Sequence, residues 1–295
     1  MSSAEPSSSV SQYRGRFAPS PTGPLHLGSL VSALGSWADA KHHNGSWIVR
    51  IEDIDPARES PEAAEQIIES LREHHLHSDN ELVYQHDRSA LYDKALDHLR
   101  QQQQLFACTC TRKQLRALHS SVYPGTCRNL KHPEEDKALR VTVKSGSTRF
   151  TDIVYGLIVE EVSSAVGDFI VRRRGPLYAY QLAVVVDDAE QNISHVVRGA
   201  DLLDNTARQI ALQNLLKLPT PQYLHLPLVL QDDGRKLSKQ TGAQALDNST
   251  PLNNLKIAWN LLGQDPAPES MLYCQDFLNF CAEHWNRKNI PVATL

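Results

Sequence analysis

Two short stretches of the chain carry side chains that could bind a phosphorylated ligand. His26 and Gly28 follow a proline-rich turn, at the point where the pattern predicts the start of a helix. The N–H groups and the dipole at a helix start attract phosphate. Far downstream, Lys236 and Lys239 place two cationic side chains in a loop. Either pair alone would more often be structural, but together they predict a site for ATP in two parts.

Three cysteines form a second group with possible chemistry. Cys108 and Cys110 are separated by one residue, and Cys127 follows after a longer interval. Structural zinc takes four soft or borderline ligands in a tetrahedron, so this set leaves one position open. His119 and His132 are the generic candidates for that position, and three unrelated reduced cysteines are the alternative. A closed zinc site would stabilise the fold and take no part in catalysis.

The phosphate-binding residues resemble the HIGH and KMSKS signatures of class I aminoacyl-tRNA synthetases. The first reads LHLG at residues 25–28, and the second reads KLSKQ at residues 236–240. Gln240 stands where the family usually has serine. The longer match PSPTGPLHLGS at 19–29 and the segment RIEDIDP at 50–56 are similar to the glutamyl branch. The resemblance covers almost the whole chain.

The resemblance implies an activity for the phosphate site. The family joins the carboxylate of an amino acid to the α-phosphate of ATP and releases pyrophosphate. Because the nucleophile is already an anion, the protein mainly positions the reactants and neutralises charge. The implied catalytic residues are His26 and Lys239, and ATP with Mg²⁺ would be held by His26, Gly28, Lys236 and Lys239.

A pocket for glutamate needs an arginine for a carboxylate and an anion for the ammonium group. Arg16 and Arg198 could both reach such a pocket from predicted strands, and Glu52 could pair with the ammonium. Arg198 could instead be the structural partner of one of three aspartates, Asp187, Asp188 or Asp201. The resemblance implies a glutamate site made of Arg16, Phe17, Ala18, Pro19, Ser20, Glu52, Tyr180 and Arg198. The choice of Tyr180 over Tyr178 stays open.

The cysteine pattern points to one subgroup of the family. The order C-x-C…Y-x₃-C resembles the ligands of the glutamyl-queuosine subgroup, which implies Tyr123 as the fourth zinc ligand beside Cys108, Cys110 and Cys127. That subgroup activates glutamate without tRNA and transfers it to the cyclopentenediol of queuosine at the wobble position of tRNA(Asp). Only 55 residues follow Gln240, so we expect no anticodon-reading domain of the usual kind.

Two other functions are compatible with these motifs. A truncated glutamyl-tRNA synthetase would charge the 3′ end of tRNA, whereas a synthetase-like regulator would keep the fold without catalysis. Such regulators typically lose motif residues. Because His26, Gly28, Lys236 and Lys239 are all present, the sequence favours an active enzyme.

A parallel α/β sheet is needed to bring these residues together. Residues 14–51 predict a strand, a helix and a parallel strand, and ligands gather at the carboxyl ends of such strands. We therefore expect the loops at 18–26 and 52–55 at one edge of the sheet. Further parallel strands are predicted at 183–186 and 195–198. Other predicted elements are a helix starting at Ser60, helices at 89–103 and 205–216, and strands at 105–107, 139–143, 148–154, 157–162 and 168–172. The segment 224–230 leads through a turn at 232–234 into the KLSKQ loop.

These elements predict an α/β fold, the Rossmann-like parallel sheet of class I synthetases, with an inserted zinc-containing α+β subdomain and a short helical C-terminal tail. The expected units are a disordered tail at 1–12, the first half of the catalytic domain at 13–107, the insertion at 108–180, the second half with the KLSKQ loop at 181–240, and the helical C-terminal region at 241–295.

Composition limits the other classes of function. A formal charge of −4 and a pI near 6.3 do not mark a nucleic-acid binder, so we expect RNA contacts from local patches such as 112–116 and 172–174. The sequence has neither an 18-residue apolar run nor a secretion signal, and an odd number of cysteines argues against a disulfide framework. We expect a cytoplasmic monomer, with Cys274 and Cys281 on one face of a helix.

Overall fold

The computed structural model describes residues 12–117, 122–229 and 244–292, which fold as an α/β protein. The strands are β1 Arg14–Phe17, β2 Ser46–Ile51, β3 Val83–Tyr84, β4 Leu105–Cys108, β5 Ala138–Val141, β6 Thr148–Asp152, β7 Gly156–Glu160, β8 Phe169–Arg172, β9 His195–Gly199 and β10 Gln222–Leu226. The helices are α1 Leu27–His42, α2 Pro61–Glu73, α3 Ser89–Gln101, α4 Arg112–Arg116, α5 Val162–Ala165, α6 Tyr180–Glu190, α7 Leu203–Leu216, α8 Pro251–Leu261 and α9 Cys274–His284.

The strand–helix–strand unit predicted at the start of the chain is confirmed. Strands β1 and β2 are parallel, with Arg14 opposite Ser46, and β3 extends this sheet beyond β2. On the other side of β1 lies β9, where the amide of Ser194 donates to the carbonyl of Arg14 at 3.0 Å. Strands β10 and β6 continue in parallel from β9, and β7 pairs with β6 in the antiparallel direction. The strands β1, β2 and β9 therefore end side by side, where parallel sheets bind ligands.

The residues predicted as an insertion, 108–180, do not form a single sheet separate from the catalytic sheet. Strands β4, β5 and β8 make an antiparallel sheet of their own, whereas β6 and β7 join β9 and β10. Strand β4 thus pairs with the inserted region, and two inserted strands extend the catalytic sheet. The unit boundaries at 107/108 and 180/181 stay predictions.

The strand predicted at 183–186 is wrong, because these residues lie inside helix α6. Consecutive valines favour strands by propensity, but such preferences yield to packing. Here every residue from 182 to 188 is buried, with α3, α7 and β8 around the helix. A helix that is apolar on most sides is expected when it is enclosed in this way. The helix also brings two carboxylates, Asp187 and Asp188, into the interior.

Helix α1 lies between the sheet and the C-terminal helices. It packs against β1 and β9 on one side and against α8 and α9 on the other. A turn follows the helix, since Asn44 has a φ of 53° and a Cβ on Gly45 would lie 2.5 Å from the carbonyl oxygen of Tyr13. The helical tail is confirmed, and Cys274 and Cys281 are both buried in α9.

One buried carboxylate fastens this tail to α1. Asp39 accepts hydrogen bonds from Arg287 at 2.6 and 2.9 Å and from Trp285 at 2.8 Å, and the hydroxyl of Tyr13 donates to it as well. Burial disfavours the charge on Asp39, but its hydrogen bonds to Arg287 bring its pKa below the ordinary value. None of the helices within the described ranges has the length and apolar character that crossing a bilayer requires.

Candidate active site

A cavity of about 630 Å³ opens at the carboxyl ends of β1, β2 and β9. All the predicted glutamate-binding residues line it, together with both described residues of the predicted ATP site. These residues are Arg16, Phe17, Ala18, Pro19, Ser20, His26, Gly28, Glu52, Tyr180 and Arg198. The structure thus brings together side chains from β1, its following loop, α1, β2, β9 and α6.

Backbone hydrogen bonds join the two loops at this edge. The amide of Glu52 donates to the carbonyl of Pro19 at 3.0 Å, and the amide of Ser60 donates to the carbonyl of Pro21 at 3.1 Å. Proline fixes φ at both acceptor positions, which limits the conformations open to the loop. The predicted meeting of the two loops at one edge of the sheet is confirmed.

His26 is the N-cap residue of α1, so the predicted helix start is confirmed. Its Nδ1 accepts a hydrogen bond from the amide of Ser29 at 3.2 Å. The neutral ring therefore carries its proton on Nε2, where it can donate to an oxygen atom. The first intrahelical bond runs from the amide of Leu30, and no acidic residue lies in the first turn. This end of α1 is suited to an anion.

Four buried charged residues form a network beside the cavity. Arg16 donates to both carboxylate oxygens of Asp188, at 3.1 and 3.4 Å. Arg50 lies 2.9 Å from the same carboxylate and 3.1 Å from Oε1 of Glu52. Burial opposes the charge on Asp188, but the two arginines hold its pKa below the ordinary value. Burial raises the pKa of Glu52, and the arginines offset this only in part. A cationic group bound in the cavity would therefore stabilise the charged form of Glu52.

The three guanidinium nitrogens of Arg198 differ in their hydrogen bonding among the described residues. Its Nε donates to Nε2 of His225 at 3.1 Å, and its Nη2 donates to the hydroxyl of Thr206 at 2.9 Å. Its Nη1 is buried and has no hydrogen-bond partner among the described residues. An unpaired buried donor is costly, so a ligand that brought a carboxylate oxygen to this nitrogen would be favoured.

A histidine and an aspartate fix the orientation of Arg198. His225 and Asp152 are fully buried, and Nδ1 of His225 lies 2.7 Å from Oδ2 of Asp152. Since Nε2 accepts from Arg198, neutral His225 carries its proton on Nδ1 and donates it to Asp152. Burial lowers the pKa of His225, which favours this neutral form. Burial acts against the charge on Asp152, but the hydrogen bond from His225 brings its pKa below the ordinary value.

The two candidate tyrosines have different surroundings. Tyr180 begins α6 and lines the cavity. Tyr178 does not line this cavity, and its hydroxyl donates to Asp93 at 2.8 Å. Burial raises the pKa of the Tyr180 phenol, so this group stays a hydrogen-bond donor at neutral pH. Lys236, Lys239 and Gln240 lie outside the described residues, and their roles stay predictions.

The predicted zinc ligands form a compact group at the start of the inserted region. The three cysteine sulfur atoms all lie within 4.8 Å of one another, and Cys110 and Cys127 are 3.6 Å apart. The hydroxyl oxygen of Tyr123 is 3.5 Å from the sulfur of Cys108 and 3.9 Å from that of Cys110. A tetrahedron with Zn–S bonds of about 2.3 Å has edges of about 3.8 Å, close to these separations.

The surroundings shift the ionisation of Tyr123 and Cys127 in opposite directions. Burial raises the pKa of the Tyr123 phenol, although the amide of Cys127 donates a hydrogen bond to its oxygen at 2.9 Å. Burial opposes ionisation of Cys127, but hydrogen bonds from Thr109 and Tyr123 lower the pKa of this thiol to about 6. His132 is not part of the group, and His119 lies outside the described residues.

Sequence reasoning missed the residues that hold the arginines. The sequence suggests Asp188 only as a possible partner of Arg198, and neither His225 nor Asp152 belongs to a recognised motif. One usable signal was the charge of Arg50 inside the apolar strand β2, because a buried guanidinium requires anionic partners. Of the aspartates considered for Arg198, Asp188 binds Arg16 and Arg50 instead.

Comparison with known proteins agrees with this fold. Residues 12–254 match the family model described as tRNA synthetases class I (E and Q), catalytic domain. The chain therefore has the catalytic domain of a class I synthetase. A glutamyl-Q tRNA(Asp) synthetase from Cupriavidus metallidurans is 52% identical over 263 residues, or 85% of each chain, and one from Xanthomonas campestris is 48% identical over 96% of this chain and 95% of the relative. This chain belongs to the family of glutamyl-Q tRNA(Asp) synthetases.

Solved structures share the fold over nearly the whole chain. A glutamate tRNA ligase from Elizabethkingia meningosepticum, in complex with its amino acid, superposes with a TM-score of 0.80 over 95% of this chain at 24% identity. The glutamate-tRNA synthetase from Elizabethkingia anophelis gives the same values. The present chain covers 66% of the length of both solved chains.

Proposed function

We propose that this protein activates L-glutamate with ATP and transfers the glutamyl group to the cyclopentenediol of queuosine at the wobble position of tRNA(Asp). The observation that carries the proposal is the cavity where the His26 helix start meets buried Glu52 and the unpaired Nη1 of Arg198. Relatives of about half identical sequence bear the name of this activity. We also propose a cytoplasmic location, because both ATP and tRNA occur there.

Glutamate would be bound by groups of opposite charge across the cavity. A substrate carboxylate would accept a hydrogen bond from Nη1 of Arg198, and the substrate ammonium would pair with Glu52. That pairing would favour the charged form of Glu52. Tyr180 would donate a hydrogen bond to the substrate. Arg16 would act from behind this site, because its side chain is already bound to Asp188.

Activation would require little covalent participation by the protein. The substrate carboxylate attacks the α-phosphorus of ATP, the bond to the bridging oxygen breaks, and pyrophosphate leaves. The Nε2–H of His26 and the helix start would stabilise the phosphate charge, with Lys236 and Lys239 acting from the KLSKQ loop. Mg²⁺ would accompany the ATP phosphates. Loss of His26 or Lys239 should reduce transition-state stabilisation by about 3 kcal/mol, by analogy with an oxyanion-hole donor.

We also propose that Cys108, Cys110, Cys127 and Tyr123 hold a structural zinc ion. The separations of the donor atoms support this assignment, and so does the lowered pKa of Cys127, since zinc binds thiolates. A bound zinc ion would link the end of β4 to the segment around Cys127. With four protein ligands it would have no open position for substrate.

The decisive experiment supplies ATP, radiolabelled glutamate and tRNA that either contains or lacks queuosine. Digestion with a nuclease then separates the anticodon loop from the 3′ end. We expect label only in the anticodon fragment and only when queuosine is present. Label at the 3′ end would identify a truncated glutamyl-tRNA synthetase, and the absence of glutamate-dependent pyrophosphate exchange would identify a regulator without catalysis.

A further inference from the structure

A second cavity, of about 330 Å³, adjoins the first. The two cavities share Ser20, Glu52 and Tyr180 in their walls, so they meet where the substrate glutamate is proposed to lie. The remaining walls come from the loop after β2, from the 3-10 turn at Gln85–Arg88, and from β8 and the segment after it. Neither glutamate activation nor the proposed zinc site uses these walls.

A buried acceptor atom in this cavity lacks a donor. Gln85 is fully buried, and its Nε2 donates to Asp187 at 2.7 Å. Its Oε1 has no hydrogen-bond partner in the part of the chain that is described, although the residue lines the second cavity. Buried carbonyl oxygens are nearly always hydrogen-bonded in native proteins. The atom therefore points to a ligand with an O–H or N–H group.

The rim of the second cavity is charged and held in place. Arg173 binds Asp55 through two nitrogens, at 3.0 and 3.3 Å, and Nε of Arg58 lies 2.8 Å from the same carboxylate. The amide of Asp55 donates to Glu59 at 2.6 Å. The side chain of Arg58 is 68% exposed, so most of its guanidinium remains available at the surface. This rim offers a carboxylate inside the cavity and cationic groups at its mouth.

We propose that the second cavity is the acceptor site, which binds a nucleoside whose side chain carries a vicinal diol and a basic amine. The inference rests on the proposed function. Gln85 and Glu59 would accept hydrogen bonds from the diol and amine, and Arg58 and Arg173 would lie near the phosphates of the RNA strand. Because the cavities meet at Glu52 and Tyr180, a diol hydroxyl in the second cavity would face the activated carboxyl group in the first.

The transfer step follows from this arrangement. The hydroxyl oxygen attacks the carbonyl carbon of glutamyl-adenylate and forms the ester bond, while the carbon–oxygen bond to the phosphate breaks. AMP leaves with the electron pair of that bond, and the hydroxyl proton passes to its phosphate group. No oxidant, reductant or further reactant is required.

The test separates activation from transfer in the full-length protein. We would measure glutamate-dependent pyrophosphate exchange and glutamylation of queuosine-containing tRNA in R173A and in E59Q, whose side chain is isosteric with that of glutamate. Both variants should lose at least tenfold in kcat/KM for tRNA and stay within twofold in exchange. The matched control is R149A, because Arg149 is exposed, lies outside the predicted RNA-contact patches and does not line the second cavity. It should retain both activities.

Three results would contradict the proposal that the second cavity is the acceptor site. Transfer within twofold of wild type in both variants would show that the cavity does not bind the acceptor. Equal losses of exchange and transfer in E59Q would place Glu59 in the activation site. A loss in R149A as large as that in R173A would show that the effect comes from general surface charge. Failure of the wild-type protein to modify queuosine-containing tRNA would instead reject the proposed function itself.

Discussion

At the scale of single residues, Arg198 depends on a histidine that lies behind it. In H225N the side chain is too short to replace the Nε2 acceptor, whereas in H225Q the amide oxygen can still accept from Arg198. A hydrogen bond to a charged group is worth about 1.5–3 kcal/mol, so H225N should raise the KM for glutamate about tenfold or more in pyrophosphate exchange. H225Q should restore most of the affinity, and equal KM values in the two variants would contradict a positioning role.

The protonation of His225 should make the KM for glutamate depend on pH, with a rise toward acid pH. Burial lowers the pKa of His225 below its ordinary value of 6.5, so the folded protein keeps it neutral down to a lower pH. Protonation would place a hydrogen on Nε2, facing the Nε–H of Arg198. The KM for glutamate should therefore be level from pH 8 to about 6.5 and rise as the pH falls through the lowered pKa. Because Glu52 also titrates on the acid side, the diagnostic quantity is the difference between wild type and H225Q.

The sequence predicted the residues that face the ligand better than those that position them. His26 and Glu52 lie in recognised motifs, Arg198 is implied by the family resemblance, and all three line one cavity. Asp188 and His225 act through other side chains, so their types and spacing follow the packing of α6 and β10 and leave no local pattern. The KLSKQ loop remains a prediction from its motif.

At the scale of elements, the loop between β4 and β5 should depend on metal. Wild type is expected to contain close to one zinc ion per chain, and C127A should lose it. The matched control is C281A, because Cys281 is buried in α9, far along the chain from this group. Substitution of cobalt for zinc should give a thiolate-to-metal absorption band in wild type and C281A only. Equal metal content in wild type and C127A would reject the proposed site.

Helix α6 shows why element type was harder to predict than element position. The sequence predicts a strand at 183–186, because consecutive valines favour strands by propensity. A short apolar run has no periodicity that separates a buried strand from an enclosed helix. Segments with a cap or a turn signal, such as α2 with Ser60 before Pro61, were placed correctly because their local chemistry is specific.

At the scale of the whole molecule, Asp39 should dominate the attachment of the C-terminal helices. In D39N, Arg287 loses its anion and the new amide group faces donors from Trp285 and Tyr13. Breaking a buried pair from one side costs about 3 kcal/mol in the free energy of unfolding, measurable by urea titration. The matched control is E69Q, since Glu69 pairs with Arg72 on an exposed helix face and should change stability by less than about 0.5 kcal/mol.

The shared wall of the two cavities limits how the protein could be redesigned. Ser20, Glu52 and Tyr180 line both compartments, so a substitution there that admits a different amino acid would also reshape the space proposed for the nucleoside. Libraries aimed at new amino-acid selectivity should therefore vary Val197 and Leu202, which line the first cavity and not the second. Variants selected at these two positions would keep the walls of the second cavity, where the acceptor nucleoside is proposed to bind.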